Sequence, residues 1–240
     1  MNYNEKKANK YLLLNLHLDI YKKLYEEVCK NDFSYSRAPN SQGRPYQSYD
    51  FINFKGLRWS VEKRIKDMEL EKFYNKKSSS FDIGCNFGFF VNEFSRYFND
   101  SSGCDHVKEF IEIGKIVNRY LCKITKKKLK VNLFCKKFED LNLKKKYDFI
   151  TSLAAYQTTD KYQRGNPNKY FEKIDFFLKK KGIFIFESVS YPKNSDSPDF
   201  ANKKNSESAY NKIKKLFNLR SVEEKKSGQY YRLFIEAEKK

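Results

Sequence analysis

Long apolar runs are missing from this sequence. Nowhere do about 18 apolar residues follow one another, the length a helix needs to cross a bilayer. The stretch Met1 to Lys10 has no apolar region of the kind that marks a secretory leader. Cysteine is sparse and scattered: Cys29, Cys85, Cys104, Cys122 and Cys135 make no C-x-x-C spacing. An odd count without ligand spacing argues against a disulfide framework and for reduced thiols. Histidine is rarer still, with His17 and His106 far apart, so no metal centre is expected. Together these absences predict a cytoplasmic protein with no membrane span.

What is present is charge and aromatic bulk. The chain has 240 residues, enough for one sizeable core, with 40% hydrophobic and 17% aromatic residues. The core is therefore expected to lean on Phe, Tyr and Ile. The formal net charge is +19. Such an excess can neutralise phosphates, which makes nucleic acid a candidate partner. Lysine outnumbers arginine 40 to 9, however, and Asn, Phe, Tyr and Ile are abundant too, the combination an AT-rich genome encodes. Lysines spread along every segment read first as a solvated surface, and a small-molecule acceptor is the leading expectation over nucleic acid.

The organisation changes near residue 78. Before it, Leu13, Leu16, Ile20, Leu24 and Val28 predict a helix over Glu5 to Lys30. Asn31 to Gln47 reads as loop, and Ser60 to Tyr74 as a second helix capped by Ser60. Residues 1–77 thus form an expected helical extension or lid, and 78–240 the main domain. There, short apolar runs alternate with helical stretches, the sign of βαβ units and a parallel sheet. Strands are expected near 80–84, 101–105, 130–134, 147–153 and 182–188, and helices over 88–99, 107–121 and 168–180. Gly182 reads as a helix stop before Ile183. Tyr191 to Ser208 reads as loop and Ser208 to Leu216 as helix. Asn218 to Glu224 and Tyr230 to Ala237 read as a closing hairpin about Gly228. The expected architecture is a doubly wound, mostly parallel seven-stranded α/β sheet with an antiparallel C-terminal hairpin.

The densest signal is Phe81-Asp82-Ile83-Gly84-Cys85-Asn86-Phe87-Gly88, at a strand-to-helix turn. Glycine suits such a turn because the backbone must take positive φ or admit a ligand without a Cβ in the way. Asn86 is the next-best residue for a left-handed conformation. A dinucleotide fingerprint wants glycine where Asn86 stands, and Asp82 would face the phosphates, so both features disfavour NAD. An acid there suits a ligand bearing an ammonium and a sulfonium.

This segment resembles motif I of the class I S-adenosylmethionine (SAM)-dependent methyltransferases, D/E-x-G-x-x-x-G. The resemblance continues in order to about residue 190. It implies a cofactor set of Asp82, Gly84, Asn86, Phe87 and Gly88, with S-adenosylhomocysteine (SAH) as product. Ser102-Gly103-Cys104-Asp105 resembles the family's second strand, whose terminal acid meets the ribose hydroxyls, and His106 would flank the adenosine. Glu139 and Asp140 follow strand three and read either as an adenine contact or as a helix cap. Tyr147 to Leu153, with Ser152, resembles strand four, which ends beside the methyl group.

After strand four, Tyr156 and Asp160 are candidates to orient or deprotonate the acceptor; a packed tyrosine and a capping aspartate are the other reading. Glu187 is a weaker acceptor candidate. The absence of N-P-P-Y argues against an exocyclic base amine as acceptor, and the absence of Pro-Cys against covalent attack on cytosine. Arginine forks bind carboxylates and phosphates, and three stand near aromatics in the N-terminal part. Arg58 or Arg64 is expected at the cofactor carboxylate, and Arg44, Tyr46 and Gln47 at an anionic acceptor. The pattern P-Y-Q-S-x-D-F followed by K-G-x-R resembles methyltransferases of bacterial surface-polysaccharide clusters, including those that O-methylate a capsular phosphoramidate. The resemblance implies O-methylation of a small anionic or saccharide- or nucleotide-linked metabolite in capsule biosynthesis. An RNA methyltransferase, or a cofactor-binding sensor without turnover, are the competing readings.

Overall fold

The structure is a computed structural model, and it describes residues 3–30, 47–156, 167–188, 200–227 and 230–240. Side chains are described for most of these, beginning at Tyr11. In chain order the helices are α1 (Tyr3–Lys30), α2 (Val61–Asp67), α3 (Phe89–Phe94), α4 (Lys108–Thr125), α5 (Pro167–Phe177) and α6 (Phe200–Leu216). The strands are β1 (Ser79–Ile83), β2 (Asp100–Asp105), β3 (Val131–Cys135), β4 (Tyr147–Leu153), β5 (Leu178–Glu187), β6 (Phe217–Ser227) and β7 (Tyr230–Lys239). They form one seven-stranded sheet in the order β3-β2-β1-β4-β5-β7-β6. The pairs β2–β3, β1–β4 and β4–β5 are parallel, whereas β7 runs antiparallel to both β5 and β6. The fold expected from the alternating pattern and closing hairpin is the fold observed.

By internal contacts the chain divides into two compact units, residues 1–77 with 85–135 and residues 78–84 with 136–240. In the first unit α4 buries Phe110, Ile113, Val117 and Leu121, a stripe at helical spacing. Helix α1 packs on α4 through its buried Leu16, Ile20 and Leu24 face. Lys23–Glu112 at 3.0 Å and Tyr120 donating to Asp19 at 3.1 Å flank that face. Tyr49 donates to the buried Glu93 carboxylate at 2.7 Å, and Arg96 donates to both oxygens of the same carboxylate. Burial, then the charge and hydrogen bond of Glu93, hold the Tyr49 hydroxyl well above the usual tyrosine range.

In the second unit every residue of β1 is buried, as a strand covered on both faces requires. Its polar start is satisfied by the neighbouring strand: the Ser79 backbone N–H and hydroxyl both donate to Asp148 Oδ2, at 2.8 and 3.0 Å. Phe81, Phe138, Tyr147 and Phe177 make an aromatic cluster beneath β1 with ring centroids 5.0–6.5 Å apart.

Four expected elements differ in extent. The second helix ends at Asp67, because Glu69 takes φ 54 and a separate 3-10 turn follows over Leu70–Phe73. Helix α3 is a short Phe89–Phe94 segment rather than 88–99. Gly182 does not stop a helix; α5 ends at Phe177 and β5 already begins at Leu178, paired with Tyr147. Residues 179–182 then bulge out before Ile183 pairs with Phe149. Helix α6 begins at Phe200, inside the stretch expected as loop, with Ser206, Ala209 and Ile213 fully buried on one face.

Candidate cofactor and acceptor sites

The turn after β1 takes the conformation its glycines predict: Gly84, Asn86 and Gly88 have φ +66, +51 and +65. A Cβ on Gly84 would stand 2.8 Å from the Ala155 Cβ, so a side chain there meets both strain and a clash. Asn86 caps the turn, its Oδ1 accepting from the Phe87 N–H at 2.8 Å. Its Nδ2 is buried without a hydrogen-bond partner. The Phe87 ring is buried edge-on against Phe110 at 4.9 Å.

In the first unit Asp105 ends β2, 4% exposed. Its Oδ2 accepts the Asn86 N–H at 3.0 Å and its Oδ1 the Val107 N–H at 3.1 Å. Each oxygen keeps a lone pair for a further donor. His106 Nδ1 lies 3.6 Å from Asp105 Oδ1. Asn92, which no sequence signal singles out, donates from Nδ2 to the carbonyls of Gly88 and Gly114 at 2.9 and 3.0 Å and ties the turn to α4. Arg64 lays its guanidinium 4.9 Å from the Phe90 ring, and Arg58 is half-buried. Gln47 is 8% exposed, and its Oε1 is buried with no hydrogen-bond partner. Arg44, Tyr46 and Asp160 lie outside the described residues.

In the second unit Asp82 is buried and accepts from the Thr151 hydroxyl at 2.7 Å across the β1–β4 register. Glu139 and Asp140 are exposed on a 3-10 turn over Phe138–Asp140. Ser152 is fully buried, and its hydroxyl shares a 2.8 Å hydrogen bond with the Tyr170 hydroxyl of α5. That hydrogen bond fastens α5 to β4. Tyr156 is 7% exposed, its ring 5.1 and 5.2 Å from those of Tyr170 and Phe171, which favours the packed-tyrosine reading over a base. Glu187 is buried 3.6 Å from the Arg232 guanidinium. Arg232 also donates to the Ser188 carbonyl at 3.0 Å. No spacing in the sequence links Arg232 to Glu187, since only the β5–β7 pairing brings them together.

The comparisons with known proteins agree with this geometry. Residues 81–186 match the family model described as a methyltransferase domain. No curated protein matches the chain in sequence. Among solved structures, N-methyltransferase NodS from Bradyrhizobium japonicum WM9 in complex with SAH aligns with TM-score 0.56 at 13% identity, covering 92% of this chain and 98% of that one. A SAM-dependent methyltransferase from Aquifex aeolicus aligns with TM-score 0.54 at 14% identity, covering 75% and 89%. Magnesium protoporphyrin IX methyltransferase from Synechocystis PCC 6803 with bound SAM aligns with TM-score 0.51 at 12% identity, covering 75% and 78%. At these identities the likeness is one of fold.

With the domain match added to the fold, the chain is an enzyme of the methyl-transferring class. It is a SAM-dependent methyltransferase, with SAM as cofactor. Among the described residues no helix is long and apolar enough to cross a membrane.

Proposed function

We propose that this methyltransferase O-methylates a small anionic or saccharide- or nucleotide-linked metabolite, in the cytoplasm, for a bacterial surface polysaccharide such as a capsule. The observation that supports this most is the engagement of the two described candidates at the ends of β4 and β5. Glu187 is ion-paired with Arg232, and Tyr156 is packed among the rings of Tyr170 and Phe171. An acceptor oxygen that is already anionic needs no proton removed. At the carboxyl end of β5 the buried Arg232 guanidinium holds Glu187 in an ion pair, so that carboxylate is not open to act as a base. The P-Y-Q-S-x-D-F and K-G-x-R resemblance supports the polysaccharide setting.

In this reading residues 1–77 are a helical extension to a catalytic domain over 78–240. Asp82, Gly84, Asn86, Phe87, Gly88, Asp105 and His106 hold the cofactor. The partnerless Asn86 Nδ2 and the free lone pairs on Asp105 fit a ligand rich in hydroxyl and carboxylate oxygens. Glu139 or Asp140 meets the adenine amine, and Arg58 or Arg64 the carboxylate. Gln47, with its unmet Oε1, meets the acceptor with Arg44 and Tyr46. When bound, SAM would supply an electrophilic methyl carried on a sulfonium, with SAH as the product left behind. The protein's part is to hold the acceptor oxygen in line behind that methyl.

The test is incubation of the purified protein with methyl-labelled SAM and cell extract, followed by separation of RNA from acid-soluble molecules. Label in anionic small molecules is the expected result. Label in RNA overturns the proposal and makes the chain an RNA methyltransferase.

A further inference from the structure

The positive charge is not spread evenly over the second unit. Four lysine runs, at 144–146, 179–181, 214–215 and 239–240, fall at one edge of its sheet. The register shows why. Residues 144–146 lead into β4, and 179–181 form the bulge between the Tyr147–Leu178 and Phe149–Ile183 pairs. Residues 214–215 close α6 just before β6 opens at Phe217, which pairs with Lys239 at the end of antiparallel β7. Every run therefore lies at the amino edge of β4 and β5.

Nine of these ten lysines are exposed; Lys239 is partly buried. Acids pair with some of them: Lys179 Nζ is 2.8 Å from Asp148 Oδ2, and Lys239 Nζ is 3.3 Å from Asp175 Oδ2. Among them stands Phe176, 55% exposed at the end of α5, with Lys146 Nζ 5.5 Å from its ring centroid. An edge this rich in lysine around one protruding aromatic ring is more than scattered solvation requires.

We infer that this amino edge is a docking surface for an anionic lipid bilayer. The occupant follows from charge complementarity and from position. A polybasic surface draws in an anionic leaflet, and a second apolar signal makes such attachment stable. Phe176 supplies that signal at the level of the headgroups. A nucleic-acid substrate fits less well, because it would have to reach the carboxyl edge where Asp82, Gly84 and Glu187 lie. The seven residues of β4 separate the two edges by roughly 20 Å. A bilayer held at the amino edge leaves the carboxyl edge facing water. The inference does not depend on the acceptor proposed above.

The test is co-sedimentation with vesicles of two parts phosphatidylglycerol to three parts phosphatidylcholine, beside vesicles of phosphatidylcholine alone. The protein is expected to bind the first, not the second, and to be released by added salt. Combined Lys144→Glu, Lys180→Glu and Lys181→Glu should weaken binding about a hundredfold or more, from roughly one leaflet contact per lysine. Phe176→Ser should weaken it about tenfold, the loss of one inserted ring. SAM binding by calorimetry should stay unchanged in both, which reports intact folding. If the triple variant does not fold, Lys214→Glu with Lys215→Glu asks the same question. Absence of vesicle binding, or vesicle binding indifferent to these lysines, overturns the inference. So does lysine-dependent binding of a single-stranded RNA oligomer without vesicle binding, which would make the edge a nucleic-acid surface.

Discussion

The turn at 84–88 and the carboxyl ends of β4 and β5 satisfy their polar groups in opposite ways. At the turn, carboxylate and amide oxygens accept backbone N–H groups, as in Asp105 to Asn86 and Val107 and Asn86 to Phe87. Geometry set by backbone is rigid and leaves the outward sides of those groups for a ligand. At the ends of β4 and β5, side chains satisfy other side chains: Glu187 with Arg232, and Ser152 with Tyr170. Those groups are taken up within the protein, so little remains there to move a proton. The contrast suits a reaction whose cofactor must be held firmly and whose acceptor arrives already charged.

The largest effect that sharpens the contrast is expected from Glu187→Ala. It strands the buried Arg232 guanidinium, so the variant should lose about 3–5 kcal/mol in urea unfolding. Glu187→Gln should lose clearly less. A loss within ~0.5 kcal/mol for the alanine variant would mean the pair is not what closes the strand ends.

Gly84→Ala comes next. Positive φ and a Cβ 2.8 Å from Ala155 should cost about 1–3 kcal/mol and weaken SAM binding in parallel. A variant of unchanged stability that still binds SAM would show the turn to be more plastic than its dihedrals imply.

Asp148 gives the smallest effect. Burial would raise its pKa, but hydrogen bonds from Lys179 and Ser79 outweigh it and hold the carboxyl below the usual aspartate range. Its contribution is therefore fully present above the ordinary carboxylate pKa and fades as pH falls through the lowered native value. With Lys179 half exposed the effect should stay under about 1 kcal/mol. Comparing acid unfolding of the protein and of Asp148→Asn checks it: the variant should show the shallower loss between pH about 5 and 2.

How much of this was legible in the sequence follows from the same contrast. The turn is local: two glycines and an asparagine within five residues carry its positive-φ positions, so its conformation and the sheet around it could be read directly. The place of Asp105 at the end of a strand was legible in the run Ser102-Gly103-Cys104-Asp105. The fastening of Glu187 was not, because its partner lies 45 residues on and reaches it only through antiparallel pairing of β5 with β7. Tyr156 was ambiguous for the same reason, its neighbours Tyr170 and Phe171 coming from α5. Composition misleads over 200–208, the end of the stretch Tyr191 to Ser208 whose Pro, Ser, Asn and Asp suggest loop. Only tertiary burial of Ser206, Ala209 and Ile213 explains the helix there. Gly182 reads as a helix stop in the sequence, but α5 ends five residues earlier and Gly182 lies in the bulge of β5.

The most direct measurement is calorimetric titration of SAM into the protein and into Asp105→Asn. Saturable binding of one SAM per chain is expected, weakened about tenfold or more in the variant through lost charge-assisted hydrogen bonds to the ribose. Equal affinity in the two proteins, with folding intact, would contradict the assignment of Asp105 and of the turn it holds.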